Sequence, residues 1–425
     1  MILPLIEQEG LHATINTTED CNLRCKYCYE INKKPKSIDF EYCKKFIDDL
    51  INDDDPCGAN IDDSDYFKNL PKDGIIIDFI GGDALIDVKL LDKVINYFIM
   101  KVNTTDTQNA RYWRNKYRFS ISSNGTLFTD EVKRFCEKWQ KILSIEVSID
   151  GCPEIHDMNR VFPDGTGSMS KILEDWKWYK KTFPYDSRTT KATMSKNTIP
   201  YLYESLKFMH EDLGLVYISQ NFIMENAYLT EEDLHMFEDQ MKLCVQYVLE
   251  HQDNLYYRPF DNVEFAAHKL SEGDFFYKAG HCGSGSMPCL GIDGNYYPCF
   301  RWLPHTQSSY QSPIMVGNVK DGFNNKQGFV DVRHGAYRCN CSEEKCKNCK
   351  YESACSYCIA GCYSEFGCFK RATYICDITK IQCKYAKIYW NEFTKMRGGQ
   401  IQYPEEFSIN GSQWNNYHKI GEDDC

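Results

Sequence analysis

The chain has 425 residues, of which 42% are hydrophobic and 14% aromatic, so it is long and apolar enough to bury a sizeable core. Its formal net charge of −12 argues against a nucleic-acid-binding surface, because neutralising phosphates requires clustered Lys and Arg. No stretch approaches the roughly 18 apolar residues of a membrane helix, and the N-terminus lacks the basic segment of a secretory signal, so we expect a cytoplasmic protein with no membrane partner.

A short cysteine loop follows the first predicted strand, which spans residues 11–16. Cys21, Cys25 and Cys28 have the spacing C-x3-C-x2-C, which places three thiolates close together. Three thiolates can hold three irons of a cubane cluster and leave the fourth iron without a protein ligand. Structural zinc prefers four protein ligands, and this loop offers no His and no fourth Cys. The loop therefore predicts an iron–sulfur cluster with one open iron, and a zinc site with a remote ligand is the alternative.

Strands and helices alternate along the first half of the chain. The predicted strands span residues 11–16, 75–80, 117–122, 144–149, 190–194 and 216–223. The predicted helices span residues 37–51, 130–141, 170–182 and 200–213, and another follows residue 84. Such alternation is typical of parallel strands joined by crossover helices. Since the loops after parallel strands meet at one rim, we expect the ligand-binding residues at the C-terminal ends of the strands.

Glycine-rich and polar motifs follow three of these strands. They are Gly81-Gly82-Asp83, Ser123-Asn124-Gly125 and Ser148-Ile149-Asp150-Gly151, and His156 and Arg160 come shortly after the third. Asn, Asp and Gly are also common in ordinary turns, but the shared position of the motifs at the rim favours a binding site. Arg160 is a candidate partner for a carboxylate, because a guanidinium matches carboxylate geometry. We expect His156 to be a structural hydrogen-bonding group.

Two insertions and four isolated cysteines complete the first part of the chain. Residues 52–72 and 103–116 are polar insertions, and we consider them as lids or substrate-binding surfaces because long loops in compact enzymes often have these roles. Cys43, Cys136, Cys152 and Cys244 lie outside the cysteine clusters. We expect these four to be small buried hydrophobic residues.

The last third of the chain is rich in cysteine, with 13 of the 22 cysteines between Cys282 and Cys383. A cytoplasmic chain keeps its thiols reduced, so these cysteines are expected to bind metal rather than to form disulfides. Cys282, Gly294 and Cys299 have the spacing C-x11-G-x4-C, and Asp293-Gly294 predicts a hairpin turn that brings the two thiols together. A second series has the spacing C-x2-C-x5-C-x2-C and comprises Cys346, Cys349, Cys355 and Cys358. C-x2-C pairs are also common in zinc sites, so these spacings alone leave zinc and iron–sulfur clusters open.

The cysteine loop resembles the signature of the radical S-adenosylmethionine (SAM) superfamily, and the rim motifs are similar to those of its partial (β/α)6 barrel. The C-terminal cysteines resemble those of the SPASM domain, an auxiliary iron–sulfur module, in the variant found in maturases of CXXX-repeat peptides. The resemblance implies an α/β fold with a partial TIM barrel over residues 1–270, the SPASM module over 271–390 and a C-terminal tail over 391–425.

The resemblance also implies the cofactors and their ligands, namely SAM and three [4Fe–4S] clusters. The SAM cluster would be held by Cys21, Cys25 and Cys28. One auxiliary cluster would be held by Cys282, Cys299 and Cys358 with Cys289 as fourth ligand, and the other by Cys346, Cys349, Cys355 and Cys376. Cys362 and Cys383 are alternatives to Cys358 and Cys376. The residues implied at the SAM site are Tyr27, Gly81, Gly82, Asp83, Ser123, Asn124, Ser148 and Arg160, although Asp83 and Ala84 stand where the family usually has Glu and Pro.

The activity implied is that of a maturase that abstracts hydrogen from a ribosomally made precursor peptide and installs crosslinks, which we expect to be Cys thioethers. The expected partners are this peptide and an electron donor such as flavodoxin or ferredoxin. The alternatives are an anaerobic sulfatase-maturating enzyme or a carbon–carbon crosslinking maturase and, in another class, a zinc-bound interaction protein. Phe300 stands where the sulfatase-maturating branch has its proposed Asp base, which counts against formylglycine formation.

Overall fold

A computed structural model describes residues 10–62, 74–223, 228–260, 283–308, 310–347, 349, 351, 355–396 and 398. The predicted junction between barrel and module, and Cys282 with it, lies outside these residues. No helix in the described part of the chain is long and apolar enough to cross a membrane.

The six predicted parallel strands are all present, in two sheets. They are β1 (Leu11–Thr18), β2 (Ile75–Gly81), β3 (Tyr117–Ser123), β4 (Leu143–Val147), β5 (Thr189–Met194) and β6 (Tyr217–Phe222). Strands β1 to β4 pair in sequence order, β5 pairs with β6, and every one of these pairs is parallel. A short seventh strand, β7 (Tyr256–Tyr257), extends the second sheet beside β6.

Helices connect the strands. They are α1 (Phe40–Asn52), α2 (Val88–Thr104), α3 (Gln108–Trp113), α4 (Asp130–Trp139), α5 (Pro153–His156), α6 (Met169–Thr182), α7 (Leu202–Glu211) and α8 (Glu231–Glu250). Of these, α1, α2, α4, α6 and α7 overlap the helices predicted from the sequence, whereas α3, α5 and α8 lie outside the predicted helix ranges. Side-chain caps define several starts: Asp39 accepts a hydrogen bond from the Glu41 amide before α1, and Thr129 accepts one from Val132 before α4.

Strands β1, β2 and β3 each bury apolar residues on one face. Ala13, Ile77 and Phe119 are fully buried or nearly so, and they belong to the core between the sheet and the surrounding helices. The residues that alternate with them point to the inside of the barrel and include His12, Asp78 and Ser120. Asp78 accepts a hydrogen bond from Ser120 and lies 3.6 Å from the ring of His12. The inside of the barrel therefore carries polar side chains on these strands, together with Ile76 and Ile80 of β2.

The cysteine-rich region adds three strands to the barrel sheet. They are β8 (Cys289–Leu290), β9 (Asn295–Tyr297) and β10 (Gly317–Asn318), and the sheet order is β10-β9-β8-β1-β2-β3-β4. Thr14 of β1 is in register with Cys289 of β8. The predicted hairpin turn is confirmed, because β8 and β9 are antiparallel and Gly294 has a φ of 81°.

Helices of the C-terminal region surround this hairpin and return to the barrel. They are α9 (Gln327–Gly335), α10 (Arg338–Cys341), α11 (Glu344–Lys347), α12 (Ile359–Phe366) and α13 (Cys376–Met396). The indole of Trp390 in α13 donates a hydrogen bond to the carbonyl oxygen of Phe260, and the Tyr389 ring stacks on the Phe260 ring. Helix α13 therefore joins the cysteine-rich region to the barrel.

The two insertions pack against helix α1 and the C-terminal region where they are described. Asn109 is buried and donates to the carbonyl oxygens of Leu50 and Asp53, and Trp113 is 1% exposed. Asp62 forms a buried ion pair with Arg333 of α9. These contacts give both insertions a structural role, and their substrate contacts stay a prediction. The four isolated cysteines Cys43, Cys136, Cys152 and Cys244 are buried, as expected.

Candidate active site

The cysteine loop lies on the rim of the barrel and is anchored by its neighbours through backbone hydrogen bonds. The amide of Asp83 donates to the carbonyl oxygen of Asp20 (2.9 Å) at one end of the loop. The amide of Lys26 donates to the carbonyl oxygen of Asn159 (3.0 Å) near the other end. The rim motifs after β2 and β4 thus fix where the three thiols lie.

Gly81 and Gly82 make the close approach of the loop possible. A Cβ atom on Gly82 would lie 2.0 Å from the carbonyl oxygen of Asp20, and one on Gly81 would lie 1.9 Å from that of Thr18. Any side chain at either position would push the loop away. The resemblance implies that these glycines lie at the SAM site. In the structure they also allow the cysteine loop to pack closely against the rim.

Asp83 and Asn124 connect the motifs after β2 and β3. The carboxylate of Asp83 accepts hydrogen bonds from the amides of Leu85 (3.1 Å) and Asn124 (2.8 Å) and from the hydroxyl of Ser123 (3.0 Å). Burial raises the pKa of Asp83 to about 6, although these donors oppose the shift. The Asn124 side chain in turn donates to the Cys21 sulfur (3.8 Å) and to Asn22 (2.9 Å). Asp83 therefore uses its short side chain to hold the rim together.

Tyr27, Asp150 and Arg160 form a hydrogen-bonded group next to Cys25, in which Asp150 and Arg160 are buried and Tyr27 is half-buried. The Asp150 carboxylate accepts hydrogen bonds from the Tyr27 hydroxyl, from Nε of Arg160 (3.0 Å) and from the Thr193 amide (2.9 Å). The Arg160 guanidinium also lies 5.4 Å from the centre of the Tyr27 ring. Arg160, predicted as a partner for the SAM carboxylate, is thus already paired through Nε with Asp150.

His156 has the structural role that was expected. Its Nδ1 accepts a hydrogen bond from the Asp150 amide, and its Nε2 lies 3.0 Å from the Ser168 hydroxyl. Burial is the main reason that its pKa falls to about 4, so the ring is neutral at physiological pH. His156 thereby orients the loop that carries Asp150.

The chemistry of the three thiols fits a metal cluster. Burial raises the pKa of Cys21 to about 11 and raises that of Cys25 as well, so neither thiol is a free thiolate without a cation beside it. Lys33 supplies one positive charge, 3.5 Å from the Cys28 sulfur. Bound iron would supply more and would keep the thiols ionised.

Unsatisfied polar atoms lie under the loop on the inner face of β1. Asn16 and Thr14 are fully buried. Neither the side-chain amide of Asn16 nor the hydroxyl of Thr14 has a hydrogen-bond partner among the described residues. Ser148, another predicted SAM residue, is joined to the same rim, since its amide donates to the Ser123 carbonyl oxygen (3.0 Å). Buried polar atoms without partners suit a site that receives a polar ligand or water.

The thiols predicted for the second auxiliary cluster lie near one another. Burial raises the pKa of Cys376, and the neighbouring Cys355 and Cys346 thiols raise it further. Cys383 also belongs to this group, because burial together with Cys355 and Cys349 raises its pKa to about 12. Five thiols therefore lie in one region, whereas the predicted cluster needs only four ligands.

The first auxiliary site is described only in part, since Cys282 lies outside the described residues. Cys289 and Cys299 interact, because burial and the Cys299 thiol both raise the pKa of Cys289. Cys358 caps the start of α12, and burial and Cys358 raise the pKa of Cys362 to about 12. Within the described parts of the chain, no three His, Cys, Asp or Glu side chains are placed so that they could hold a metal ion. All ligand assignments stay predictions.

Sequence reasoning missed several residues that build the rim. Asp150 could have been found, because it stands in the S-x-D-G motif directly after a strand. Glu19, Glu30 and His305 form a buried charged group, in which Nδ1 of His305 lies 3.3 Å from Glu19 and Nε2 lies 3.7 Å from Glu30. Burial alone would lower the pKa of His305, but the two carboxylates raise it to about 9. Nothing in the sequence connects residues so far apart.

No protein-family model matches the chain, but curated proteins do. An uncharacterized protein of Methanocaldococcus jannaschii is 29% identical over 47% of this chain and 58% of its own length. The serine-type anaerobic sulfatase-maturating enzyme of Bacteroides thetaiotaomicron is 28% identical over 38% of this chain and 34% of its own. The cysteine-type enzyme of Clostridium novyi is 23% identical over 80% and 84%. The chain thus spans less than two thirds of the first two relatives.

Solved structures match most of the chain. The anaerobic sulfatase-maturating enzyme anSMEcpe with bound AdoMet and Cp18Cys peptide has a TM-score of 0.65 at 19% identity, over 91% of this chain and 99% of that one. Streptococcus suis SuiB bound to precursor peptide SuiA has a TM-score of 0.54 at 14% identity, over 86% and 76%. The resemblance to radical SAM proteins and the predicted α/β barrel with a cysteine-rich C-terminal region are confirmed.

Proposed function

We propose that this chain is a radical SAM enzyme that modifies a peptide. The observation that carries the proposal is that the loop with Cys21, Cys25 and Cys28 lies at the same rim of the barrel as the Asn124 side chain and the Tyr27–Asp150–Arg160 group. Neighbours of the same fold have been solved with AdoMet and with peptides, which supports the same ligand classes here.

Cys21, Cys25 and Cys28 would hold a [4Fe–4S] cluster, and the rim residues would hold SAM beside it. When bound, this pair of cofactors would supply the radical that removes a hydrogen atom from the substrate. The chain itself positions and shields: Gly81 and Gly82 admit the loop, Asn124 orients Cys21, and Asp150 fixes Tyr27 and Arg160. The polar inner face of the barrel, with His12, Asp78 and Ser120, suits a peptide backbone with its many donors and acceptors.

The C-terminal thiols would hold two further clusters, which makes three in all. Closing a thioether removes one hydrogen from carbon and one from sulfur, so after hydrogen abstraction a proton and an electron must still leave the substrate. A nearby cluster would accept that electron. We therefore propose Cys thioether crosslinks in a precursor peptide as the product, with flavodoxin or ferredoxin as the electron donor to the SAM cluster and the cytoplasm as the compartment.

Sulfatase maturation is the second candidate, because two curated relatives and one neighbouring structure carry that activity in their names. The position after Cys299 argues against it. Phe300 lies there, its ring centre 6.2 Å from that of Tyr29, and it offers no carboxylate to accept a proton. Carbon–carbon crosslinking is the other alternative within the same fold, and the C-terminal thiols support it equally.

A mass-spectrometric assay with anaerobically reconstituted protein separates these reactions. Reduced with dithionite, the protein should release 5′-deoxyadenosine from SAM. With a peptide containing repeated Cys motifs, we expect the loss of two hydrogens per crosslink and the loss of a free thiol. A product that keeps all thiols indicates carbon–carbon crosslinks, and oxygen in place of the Cys sulfur of a sulfatase peptide indicates formylglycine. Colourless protein that binds zinc but no iron and sulfide would favour the interaction protein.

A further inference from the structure

Two carboxylates are buried at the two ends of the cysteine loop. Glu19 stands two residues before Cys21 and is 8% exposed, and Glu30 stands two residues after Cys28 and is 5% exposed. Burying a carboxylate is unfavourable unless a hydrogen bond or an opposite charge compensates it. A backbone donor serves Glu19, which accepts a hydrogen bond from the Lys34 amide (3.0 Å). Lys33 lies 3.9 Å from Glu30.

His305 faces both carboxylates from the C-terminal region. It is 3% exposed, with Nδ1 3.3 Å from Glu19 and Nε2 3.7 Å from Glu30. These are ion pairs rather than well-directed hydrogen bonds, since neither ring nitrogen makes a hydrogen bond of good geometry. One cation therefore spans the start and the end of the loop that carries the three thiols.

The chain around His305 contacts the same loop. The amide of Asn32 donates to the His305 carbonyl oxygen (3.0 Å), and the Asn32 side chain donates to that of Gln307 (2.9 Å). The Arg301 guanidinium lies 4.2 Å from the centre of the Tyr29 ring. This segment, residues 300–307, begins directly after Cys299, a predicted ligand of an auxiliary cluster. The cysteine loop therefore packs between the rim of the barrel and the C-terminal region.

We propose that His305 is a positioning residue that holds both ends of the cysteine loop and thereby sets how SAM meets the cluster. The inference rests on the proposed function. It assigns no chemistry to His305, which acts through Glu19 and Glu30. It also gives the C-terminal region a task besides binding clusters, because the segment after Cys299 buttresses the SAM site.

The test compares His305→Gln with the parent by electron paramagnetic resonance of the reduced protein, titrated with SAM. All samples carry Cys346→Ala and Cys349→Ala to remove the signal of one auxiliary cluster, and the part of the spectrum that changes with added SAM reports the SAM cluster. We expect His305→Gln to keep its iron content but to need about tenfold more SAM for the spectral change, because a displaced loop misplaces the cluster. The KM for SAM should rise more than kcat falls.

Two further variants separate positioning from general damage. The double change His305→Gln and Glu30→Gln removes one buried charge of each sign, so it should recover much of the SAM affinity. His334→Gln is the control, since His334 also faces a carboxylate, Asp62 at 3.3 Å, but on the insertion after α1 rather than on the cysteine loop. It should leave the spectral titration unchanged.

The outcomes distinguish the two proposals. If the parent fails to produce 5′-deoxyadenosine, the proposed function fails. If the parent produces it and His305→Gln shows the parental SAM titration, the positioning role is wrong. An equal effect of His305→Gln and of the double variant would likewise overturn it, because the role requires the charge balance with Glu30.

Discussion

The barrel and the cysteine-rich region place their thiols by different means. In the barrel, parallel strands end at one rim, so Cys21 after β1 and Asn124 after β3 meet although β2 lies between their strands. In the C-terminal region, short helices and one hairpin bring the thiols together, and the thiols of Cys346, Cys376 and Cys383 lie near that of Cys355. The N-terminal thiols therefore lie among polar side chains of the rim, whereas several of the later thiols lie near one another.

We expect the largest difference between the two regions when the cysteines of each region are replaced in turn. Replacing Cys21, Cys25 and Cys28 together by Ala should reduce 5′-deoxyadenosine formation to background, because the cluster that carries the open iron would lose its three thiolate ligands. Replacing Cys346 and Cys349 by Ala should lower iron and sulfide content but retain reductive cleavage of SAM without peptide. Chromatography of the nucleoside and an iron assay measure both. Equal loss of cleavage in the two variants would contradict the division of tasks.

The second test changes a glycine of the rim and leaves all cysteines in place. Gly82→Ala should lower the rate of SAM cleavage by tenfold or more, because the new Cβ would lie 2.0 Å from the Asp20 carbonyl oxygen and must displace the cysteine loop. Single-turnover assays at saturating SAM measure the rate. Gly165→Ala is the control: Gly165 has a φ of 88°, but no atom lies within 4 Å of an added Cβ. A similar loss in both variants would mean that the approach of the cysteine loop at Gly82 is not the cause.

The barrel could be predicted because the sequence patterns of its strands and helices are local. Apolar strands such as 75–80 alternate with amphipathic helices, and the rim position of Asp83 or Asn124 follows from where each strand ends. The partners of Asp83 could not be predicted, since they depend on the length of one side chain in a folded loop. The pairing of β8 with β1 and the contact of His305 with Glu19 join segments more than 250 residues apart, and no local pattern encodes them.

The third test asks whether Asp83 stabilises the rim. At pH 8, above the raised pKa of Asp83 of about 6, both carboxylate oxygens of Asp83 accept hydrogen bonds from backbone amides. Asp83→Asn replaces one oxygen by an NH2 group and leaves an amide without an acceptor, so we expect the free energy of unfolding to fall by about 2 kcal/mol. Denaturant titration followed by circular dichroism measures this change. Asp87→Asn is the control, because Asp87 caps the next helix with one oxygen and Asn caps equally well.

The smallest effect concerns the ion pair between the two regions. Lys384 of α13 pairs with Glu238 of α8, and the lysine side chain is 55% exposed. Exposed ion pairs contribute roughly 0.2–1 kcal/mol, so Lys384→Ala should lower stability by about 0.5 kcal/mol, and less at high salt. Lys395→Ala, which removes a pair with Glu392 inside the same helix, is the control. A loss above about 2 kcal/mol for Lys384→Ala alone would mean that charge, rather than the packing of Tyr389 and Trp390 on Phe260, holds the cysteine-rich region to the barrel.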